Sequence, residues 1–220
     1  MGCNESHQVL KQAMIDTAIE LHRQNMLAGA DGNISCRLSD GEILITPSGK
    51  AKRSVSAAEI AVITSNNQVL SGNPSSEMLM HTYVYRHCPQ AKVVVHAHPP
   101  AAIAWTIAEP GLKALPCECM SELILATGGI PIAPFARPGS LAMGEVLADY
   151  LPQYQAIILA RHGALTWGQT LEEALNGMER IEHSAQILLK ARSLGPLTFL
   201  PEQEVAALYE MREKIGNRLL

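Results

Sequence analysis

The sharpest local pattern in the chain is His96-Ala97-His98, which ends an apolar run rich in valine. Side chains along a strand alternate between its two faces, so both imidazoles are expected on the same side. Two histidines on one face can bind one metal ion, although such a pair is also common where a strand simply leaves its sheet. The pattern therefore indicates a candidate metal site without establishing one.

A third histidine strengthens the indication. His162 follows another apolar run, residues 157–160, and precedes Gly163. A core histidine satisfied by hydrogen bonds is the alternative interpretation. If His162 meets the other two, three histidines would leave an open coordination position, which is typical of catalytic rather than structural zinc sites. We therefore predict a metal site formed by His96, His98 and His162.

A carboxylate stands at a predicted helix start. Residues 74–76, Pro-Ser-Ser, precede Glu77 and predict a helix that ends near Cys88, with Glu77 two residues inside it. The N-terminus of a helix offers free N–H groups and a positive dipole end, which suit a phosphate. Glu77 could only complement that dipole, or it could do chemistry. His81, one turn later, is a rival metal ligand, but we favour a residue packed near the site.

Two loops also suit a phosphate. Gly32-Asn33 follows the first helix, and Ser48-Gly49 lies in the segment 46–50 after a predicted strand. Glycine lets a backbone approach a ligand closely, and small polar side chains donate hydrogen bonds. Each loop by itself is an ordinary turn, and the segment 46–50 is not a P-loop.

Composition limits the classes of partner. The chain has 220 residues, of which 47% are apolar and 17% charged, with a net charge of −4, so neither nucleic acid nor an anionic membrane is expected. No apolar run approaches the ~18 residues of a membrane span. Five cysteines without a signal peptide argue against a disulfide framework, and Cys117 and Cys119 are interpreted as ordinary thiols. The expected location is cytoplasmic.

Helices and short strands are mixed without regular βαβ alternation. Helices are predicted at 6–26, 74–88, 140–150, 170–195 and 201–216, with a short one before Glu109, and strands at 33–38, 42–46, 59–64, 91–98, 130–135 and 156–160. With no repeat and no long linker, we predict a single α/β domain over 1–220 with a central mixed, mostly antiparallel sheet between helices.

Five motifs occur in order along nearly the whole chain and together resemble the class II aldolase and adducin head family. They are Gly32-Asn33-Ile34-Ser35-x-Arg37, Ile45-Thr46-Pro47-Ser48-Gly49, Pro74-Ser75-Ser76-Glu77, His96-Ala97-His98 and Arg161-His162-Gly163. Because five ordered motifs rarely match by chance, the resemblance is much stronger evidence than any one of them.

The resemblance implies a site and an assembly. It implies Zn²⁺, or another divalent ion such as Mn²⁺ or Co²⁺, at His96, His98 and His162, with Glu77 as the acid/base and an additional metal ligand. It implies a phosphate pocket formed by Gly32, Asn33, Ser48, Gly49, Ser75 and Ser76. It also implies a three-layer α/β/α fold with a nine-stranded sheet, in a cyclic homotetramer with active sites between subunits.

The reaction expected from the resemblance is retro-aldol cleavage of a ketose phosphate to dihydroxyacetone phosphate and an aldehyde. Breaking a carbon–carbon bond beside a ketone leaves an enediolate, whose charge a divalent ion stabilises as a Lewis acid. Glu77 would transfer protons. The phosphate would supply binding energy for positioning, and no lysine Schiff base would be needed.

One departure from the family leaves alternatives open. An aldolase of the family uses a tyrosine of the neighbouring subunit near the position of Met120, but residues 119–123 contain no tyrosine, and Glu122 is a candidate second acid. The C-terminal tyrosine of the family also lacks a secure match, since Ile215 falls there and Tyr209 lies earlier. A 4-epimerase, a dehydratase or a sugar-acid-phosphate decarboxylase of the same family are alternatives, as is a non-catalytic adducin-like scaffold.

Overall fold

The protein is described here by a computed structural model of residues 3–216 and Leu219. The first helix, α1 (Cys3–Arg23), buries apolar side chains at helical spacing, such as Met14, Ala18 and Leu21. The prediction that one domain extends over 1–220 stays a prediction, because residues at both ends lie outside the described part. The predicted α/β class is confirmed.

The sheet has eight strands among the described residues, not the nine that the resemblance implied. They are β1 (Asn33–Arg37), β2 (Ile43–Ile45), β3 (Ala61–Ile63), β4 (Val69–Ser71), β5 (Val93–Ala97), β6 (Ile132–Ala133), β7 (Ala156–Leu159) and β8 (Gly163–Gly168). Their order is β4-β3-β2-β1-β5-β8-β7-β6. Every neighbouring pair is antiparallel except β6 and β7, so the sheet is mixed and mostly antiparallel, as predicted.

The described part of the chain contains six further α-helices. They are α2 (Met78–His87), α3 (Pro100–Ala108), α4 (Ser121–Thr127), α5 (Ala142–Glu145), α6 (Leu171–Leu194) and α7 (Glu202–Ile215). Side chains of α2 and α5 belong to one apolar core, and side chains of α1, α3, α4 and α6 belong to a second core on the other face of the sheet. The three-layer arrangement is therefore present.

Alternation along β5 decides which face carries the first histidine. Val93 and Val95 belong to the core under α6, whereas Val94 belongs to the core under α2. His96 has the same parity as Val94, so it lies on the face that α2 covers. The period of two, which predicted that His96 and His98 share a face, also places His96 beneath α2.

Some predicted elements are shorter than expected, and two strands were not predicted. The helix expected at 140–150 is regular only over Ala142–Glu145, because turns replace it on both sides. The strand β4 is exposed throughout and so lacks apolar alternation, and β8 carries glycine at both ends, which weakens its strand signal.

Two of the predictions from composition can be compared with the described residues. No helix of the described part is long and apolar enough to cross a bilayer. The cysteines at 36, 88, 117 and 119 are free thiols, in agreement with the prediction for Cys117 and Cys119. The side chain of Cys3 lies outside the described part.

Candidate active site

The three predicted histidines converge at one edge of the sheet. His96 is the last but one residue of β5, His98 follows the strand, and His162 lies in the tight turn between β7 and β8. Their nearest ligand atoms all lie within 4.8 Å of one another. The turn holds Arg161 in a left-handed conformation, φ 59°, and this brings His162 back toward β5.

Gly163 permits this convergence because it leaves no side chain between the rings. A Cβ atom at this position would lie 2.4 Å from the carbonyl oxygen of Ala97 and 2.9 Å from both the His96 and the His98 rings. Real Cβ atoms do not approach other atoms so closely. The glycine that follows His162 is therefore required by the packing of the histidines.

The partners of two histidines fix which ring nitrogen faces the site. The Nδ1 atom of His96 lies 2.8 Å from the carbonyl oxygen of Ala164, which can only accept, so Nδ1 carries the proton. Nδ1 of His98 lies 3.2 Å from a carboxylate oxygen of Asp31 and is likewise the donor. Both Nε2 atoms, 3.2 Å apart, then present lone pairs. Such second partners are typical of metal-binding histidines.

Glu77 completes the cluster. One carboxylate oxygen lies 3.3 Å from Nε2 of His96, and the other lies 3.3 Å from Nε2 of His162. Ligand atoms about 2.0–2.1 Å from one zinc ion at tetrahedral angles would be separated by about 3.3 Å. Three imidazole nitrogens and one carboxylate also form a donor set that suits zinc and similar ions. The residues present therefore fit a divalent ion.

Burial keeps His96 and His162 neutral, which metal binding requires. His96 is fully buried, and burial, together with neighbouring His98 and His162, holds its pKa far below the ordinary value. Burial also lowers the pKa of His162, although the nearby carboxylate of Glu77 opposes this effect. The lone pairs that face Glu77 are therefore available at neutral pH.

Glu77 was predicted to lie two residues inside the helix, but it lies directly before Met78, the first residue of α2. The segment before α2 is extended rather than helical, since Pro74 forms a bridge with Pro47 and the backbone N–H of Ser75 donates to the carbonyl of Thr46. The hydroxyl oxygen of Ser75 accepts from the N–H of Glu77 at 3.3 Å. The helix begins at Met78, after this attachment, and the carboxylate of Glu77 lies among the histidines.

A buried chain of hydrogen bonds supports Glu77 from beneath α2. The Nδ2 group of Asn33 donates to Glu77 at 2.7 Å, and its Oδ1 atom is hydrogen-bonded to Nε2 of His81. The Nδ1 atom of His81 lies 2.7 Å from the hydroxyl of Ser35, which lies 2.8 Å from the hydroxyl of Tyr85. His81 therefore lies behind the cluster and contacts it through Asn33. This agrees with the favoured interpretation, a residue packed near the site, rather than with a metal ligand.

The direction of this chain follows from its acceptors. The oxygen Oδ1 of Asn33 can only accept, so Nε2 of His81 donates and Nδ1 of the neutral ring accepts from Ser35. The Ser35 proton is then used, so Tyr85 donates to Ser35. Burial lowers the pKa of His81 to about 3, which agrees with a neutral ring. Every proton therefore points toward the Glu77 carboxylate.

All six predicted phosphate residues line one cleft of about 320 Å³ together with part of the metal cluster. The residues that line it are Ala30, Asp31, Gly32, Asn33, Ser48, Gly49, Lys52, Ser75, Ser76, Glu77, His98, Pro138 and His162. Ser48 N–H donates to the carbonyl of Asn73, and Pro47 pairs with Pro74, so the two serine loops are joined. Phosphate binding by these six residues stays a prediction.

Two of the six residues predicted to bind phosphate also have structural roles. Asn33 is 3% exposed, and its amide is engaged with Glu77 and His81. Gly32 has φ 68°, and a Cβ atom there would lie 2.7 Å from the carbonyl oxygen of His96. Glycine at 32 is therefore needed for packing against β5, whether or not it binds a ligand.

The roles of three residues in the site were not predicted from the sequence. Asp31 hydrogen-bonds His98, Ser35 belongs to the buried chain, and Lys52 lines the cleft although it is 3% exposed. Alternation along β1 would have shown that Asn33 and Ser35 share a face. No local signal distinguishes Lys52 from an ordinary lysine in a surface loop.

The candidate second acid lies elsewhere on the chain. Glu122 is exposed at the start of α4, where the Ser121 hydroxyl donates to it, and it does not line the cleft. Hydrogen bonds from its own backbone and Ser121 lower its pKa. Tyr209 lines a different hollow with Cys117 and Phe199. The role of Glu122 stays a prediction.

Comparison with known proteins gives the family. The family model for the class II aldolase and adducin N-terminal domain matches residues 12–189. The L-fuculose phosphate aldolase of Escherichia coli (strain K12) is 32% identical over 214 residues, covering 96% of this chain and 97% of the relative. The 3-oxo-tetronate 4-phosphate decarboxylase of the same organism is 31% identical over 209 residues, covering 91% and 95%.

Solved structures agree with the sequence comparison. A structure of L-fuculose 1-phosphate aldolase superposes with a TM-score of 0.84 at 27% identity, covering 94% of this chain and 99% of that one. The ordered motifs, the fold and the curated relatives all lead to one conclusion. The chain belongs to the class II aldolase and adducin N-terminal domain family.

Proposed function

We propose that this protein is a divalent-metal lyase that cleaves a ketose phosphate by a retro-aldol reaction, giving dihydroxyacetone phosphate and an aldehyde. One observation carries the proposal: the cleft that contains Glu77, His98 and His162 also contains every residue predicted to bind phosphate. Family membership and the named relatives support a lyase that acts on phosphorylated sugars.

The residues divide the work by position. A divalent ion, zinc in our proposal, would be held by His96, His98 and His162 and would stabilise negative charge on the substrate oxygens. Glu77 can take a proton from the substrate hydroxyl and return one to carbon, and Asn33 holds its carboxylate in place. The serine loops would bind the phosphate away from the reacting carbons, which positions the bond to be broken.

Decarboxylation of a phosphorylated 3-oxo sugar acid is a second candidate. The decarboxylase relative matches this chain at nearly the same identity as the aldolase relative. Residues 119–123 also lack the tyrosine that an aldolase of the family uses. Both reactions break a carbon–carbon bond beside a ketone, but only retro-aldol cleavage needs a base to remove a hydroxyl proton.

Product identification tests the proposal. The purified protein, loaded with zinc, manganese or cobalt, is incubated with ketose 1-phosphates, ketose 5-phosphates and a 3-oxo-tetronate 4-phosphate. We expect dihydroxyacetone phosphate from a ketose 1-phosphate. Decarboxylation of the sugar acid would itself leave dihydroxyacetone phosphate, so the two reactions are distinguished by the second product. Carbon dioxide from the sugar acid, with no aldehyde released from any ketose phosphate, would replace the aldolase proposal with the decarboxylase one, and epimerised or dehydrated products would indicate the remaining alternatives.

Glu77→Gln separates the acid/base role from metal binding. We expect turnover to fall by about 10²- to 10⁴-fold, the usual contribution of general acid–base catalysis, with metal content unchanged. Glu172→Gln, an exposed glutamate on α6, is the matched control. Unchanged turnover in the Glu77 variant would refute its role. Absence of metal binding in the wild-type protein would favour the adducin-like scaffold.

The assembly and compartment belong to the same proposal. We propose a cyclic homotetramer, as the resemblance implies, located in the cytoplasm, as the composition indicates, with Glu122 of one subunit as the second acid at a neighbouring site. Its exposure at the start of α4 is compatible with contact to another subunit. Sedimentation measures the assembly, and Glu122→Gln in the product assay tests the acid.

A further inference from the structure

Lys52 is buried in the wall of the cleft. Only 3% of the residue is exposed, yet it is among the residues that line the cleft with Ser48, Gly49 and Ser75. Its ammonium group donates to the carbonyl of Ala30 at 2.7 Å and to the carbonyl of Lys50 at 2.9 Å. These bonds fix the charged end of a side chain that is usually mobile and solvated.

The ammonium group is not fully satisfied. It has three N–H donors, and within the described residues only the two carbonyl oxygens accept from it. Burial lowers the pKa of Lys52. The carboxylates of Asp31 and Glu77 oppose this effect through space, but neither forms an ion pair with the ammonium group. A buried charge without a charged partner is costly, so its retention needs a reason.

The matched lysine two positions earlier shows the ordinary arrangement. Lys50 is partly exposed and forms an ion pair with Glu59. If Lys52 served only to tie two loop carbonyls together, a neutral donor would do so without burying a charge. The contrast indicates that the charge of Lys52, rather than its donors alone, is used.

The charges of the cleft identify the kind of ligand. Its lining carries two carboxylates, Asp31 and Glu77, and one ammonium, Lys52. A phosphate ester carries about −1.5 to −2 charges at neutral pH and three strong acceptor oxygens. Without Lys52 the lining would have no cationic side chain among the described residues to attract such an anion. An ammonium with a spare donor beside two hydroxyl loops matches it.

We propose that Lys52 binds the substrate phosphate and selects phosphorylated over unphosphorylated sugars. This inference rests on the proposed function in one respect, that the substrate carries a phosphate. Lys52 would donate its third N–H to a phosphate oxygen, while Ser48 and Ser75 donate their hydroxyls. The two carbonyls would hold the ammonium in place before the ligand arrives, which limits the entropy lost on binding.

Calorimetric titration of the metal-loaded protein with inorganic phosphate tests the inference. For Lys52→Met, which conserves length but removes the charge, we expect the dissociation constant to rise about 10- to 100-fold, the range for a lost charge-assisted hydrogen bond. Lys50→Met is the matched control and should bind like the wild type. Equal phosphate affinity in folded Lys52→Met and wild-type protein would overturn the inference.

A second measurement uses the wild-type protein, in case the Met variant does not fold. Mass spectrometry follows acetylation of Lys52 and Lys50 with and without saturating inorganic phosphate. We expect phosphate to slow acetylation of Lys52 and to leave Lys50 unchanged, and equal rates at Lys52 would overturn the inference. Both measurements are made without turnover, so they can succeed even if no ketose phosphate is cleaved, and the reverse also holds.

Discussion

The metal end and the phosphate end of the cleft are built in different ways. At the metal end the histidines lie at the end of a strand or in a strand turn, Glu77 lies directly before α2, and buried partners fix them, as Ala164 fixes His96 and Asn33 fixes Glu77. At the phosphate end the donors belong to loops, and Ser76 and Gly49 are exposed. The candidate metal ligands are therefore held mainly by buried side-chain and backbone partners, whereas the residues predicted to bind phosphate lie on loops that are joined to each other by backbone hydrogen bonds.

Removing a buried histidine should have the largest effect. For His96→Ala we expect zinc affinity to fall by more than about 100-fold. Even the loss of a residue that hydrogen-bonds a metal ligand usually lowers metal affinity about 10- to 100-fold, and the loss of the ligand itself should cost more. Activity should be lost with the metal. Competition with a chelator of known affinity measures the change.

His183→Ala provides the control, because His183 is exposed on α6, away from the cluster. Its zinc affinity should equal that of the wild type. If His96→Ala also bound zinc like the wild type, the assignment of the metal end to the three histidines would be wrong.

The next effect concerns the chain behind Glu77. For His81→Ala we expect kcat to fall about 10- to 100-fold with KM and metal content nearly unchanged, because Asn33 loses the donor that orients its amide. His81→Gln, which can still donate and accept, should recover part of kcat. A folded Ala variant with full kcat would show that the chain has no positioning role.

Because His81 is neutral in the folded protein, its burial can also be tested by measuring stability as a function of pH. Its pKa is about 3 when folded and about 6.5 when unfolded, so the unfolded chain binds more protons between these values. Its contribution to the free energy of unfolding is therefore complete above pH 6.5 and decreases by up to about 1.4 kcal/mol per unit as pH falls toward 3. Urea unfolding measured at several pH values should give a free energy of unfolding that depends less steeply on pH in His81→Gln than in the wild type.

The metal end was largely predictable because its signals are local. Period-two alternation placed His96 and His98 on one face, and the apolar run before His162 with the glycine after it indicated the third histidine. The family resemblance then gave Glu77 the role of acid/base. What joins these residues to their supports was not predictable, since the contact between Ser35 and His81 spans 46 positions and depends on how β1 packs under α2.

The errors in the predicted helices and strands also arise from contacts between distant segments or from missing local signals. The helix expected from residue 74 begins only at Met78, because Pro74 forms an extended bridge with Pro47 and the segment is tied to the neighbouring loop. The strand β4 escaped prediction because none of its residues is buried. At the phosphate end, the glycines and serines were recognisable, but the burial of Lys52 follows from loop packing that the local sequence does not indicate.

The smallest effect is expected at the phosphate end. For Ser48→Ala we expect KM for a ketose phosphate to rise about 2- to 10-fold with little change in kcat, because one neutral hydrogen bond is worth about 0.5–1.5 kcal/mol. Ser54→Ala, whose hydroxyl donates to Ala51 in the same segment, is the control. A loss confined to kcat would contradict the division of the cleft, because it would place Ser48 with the reacting atoms and not with the phosphate.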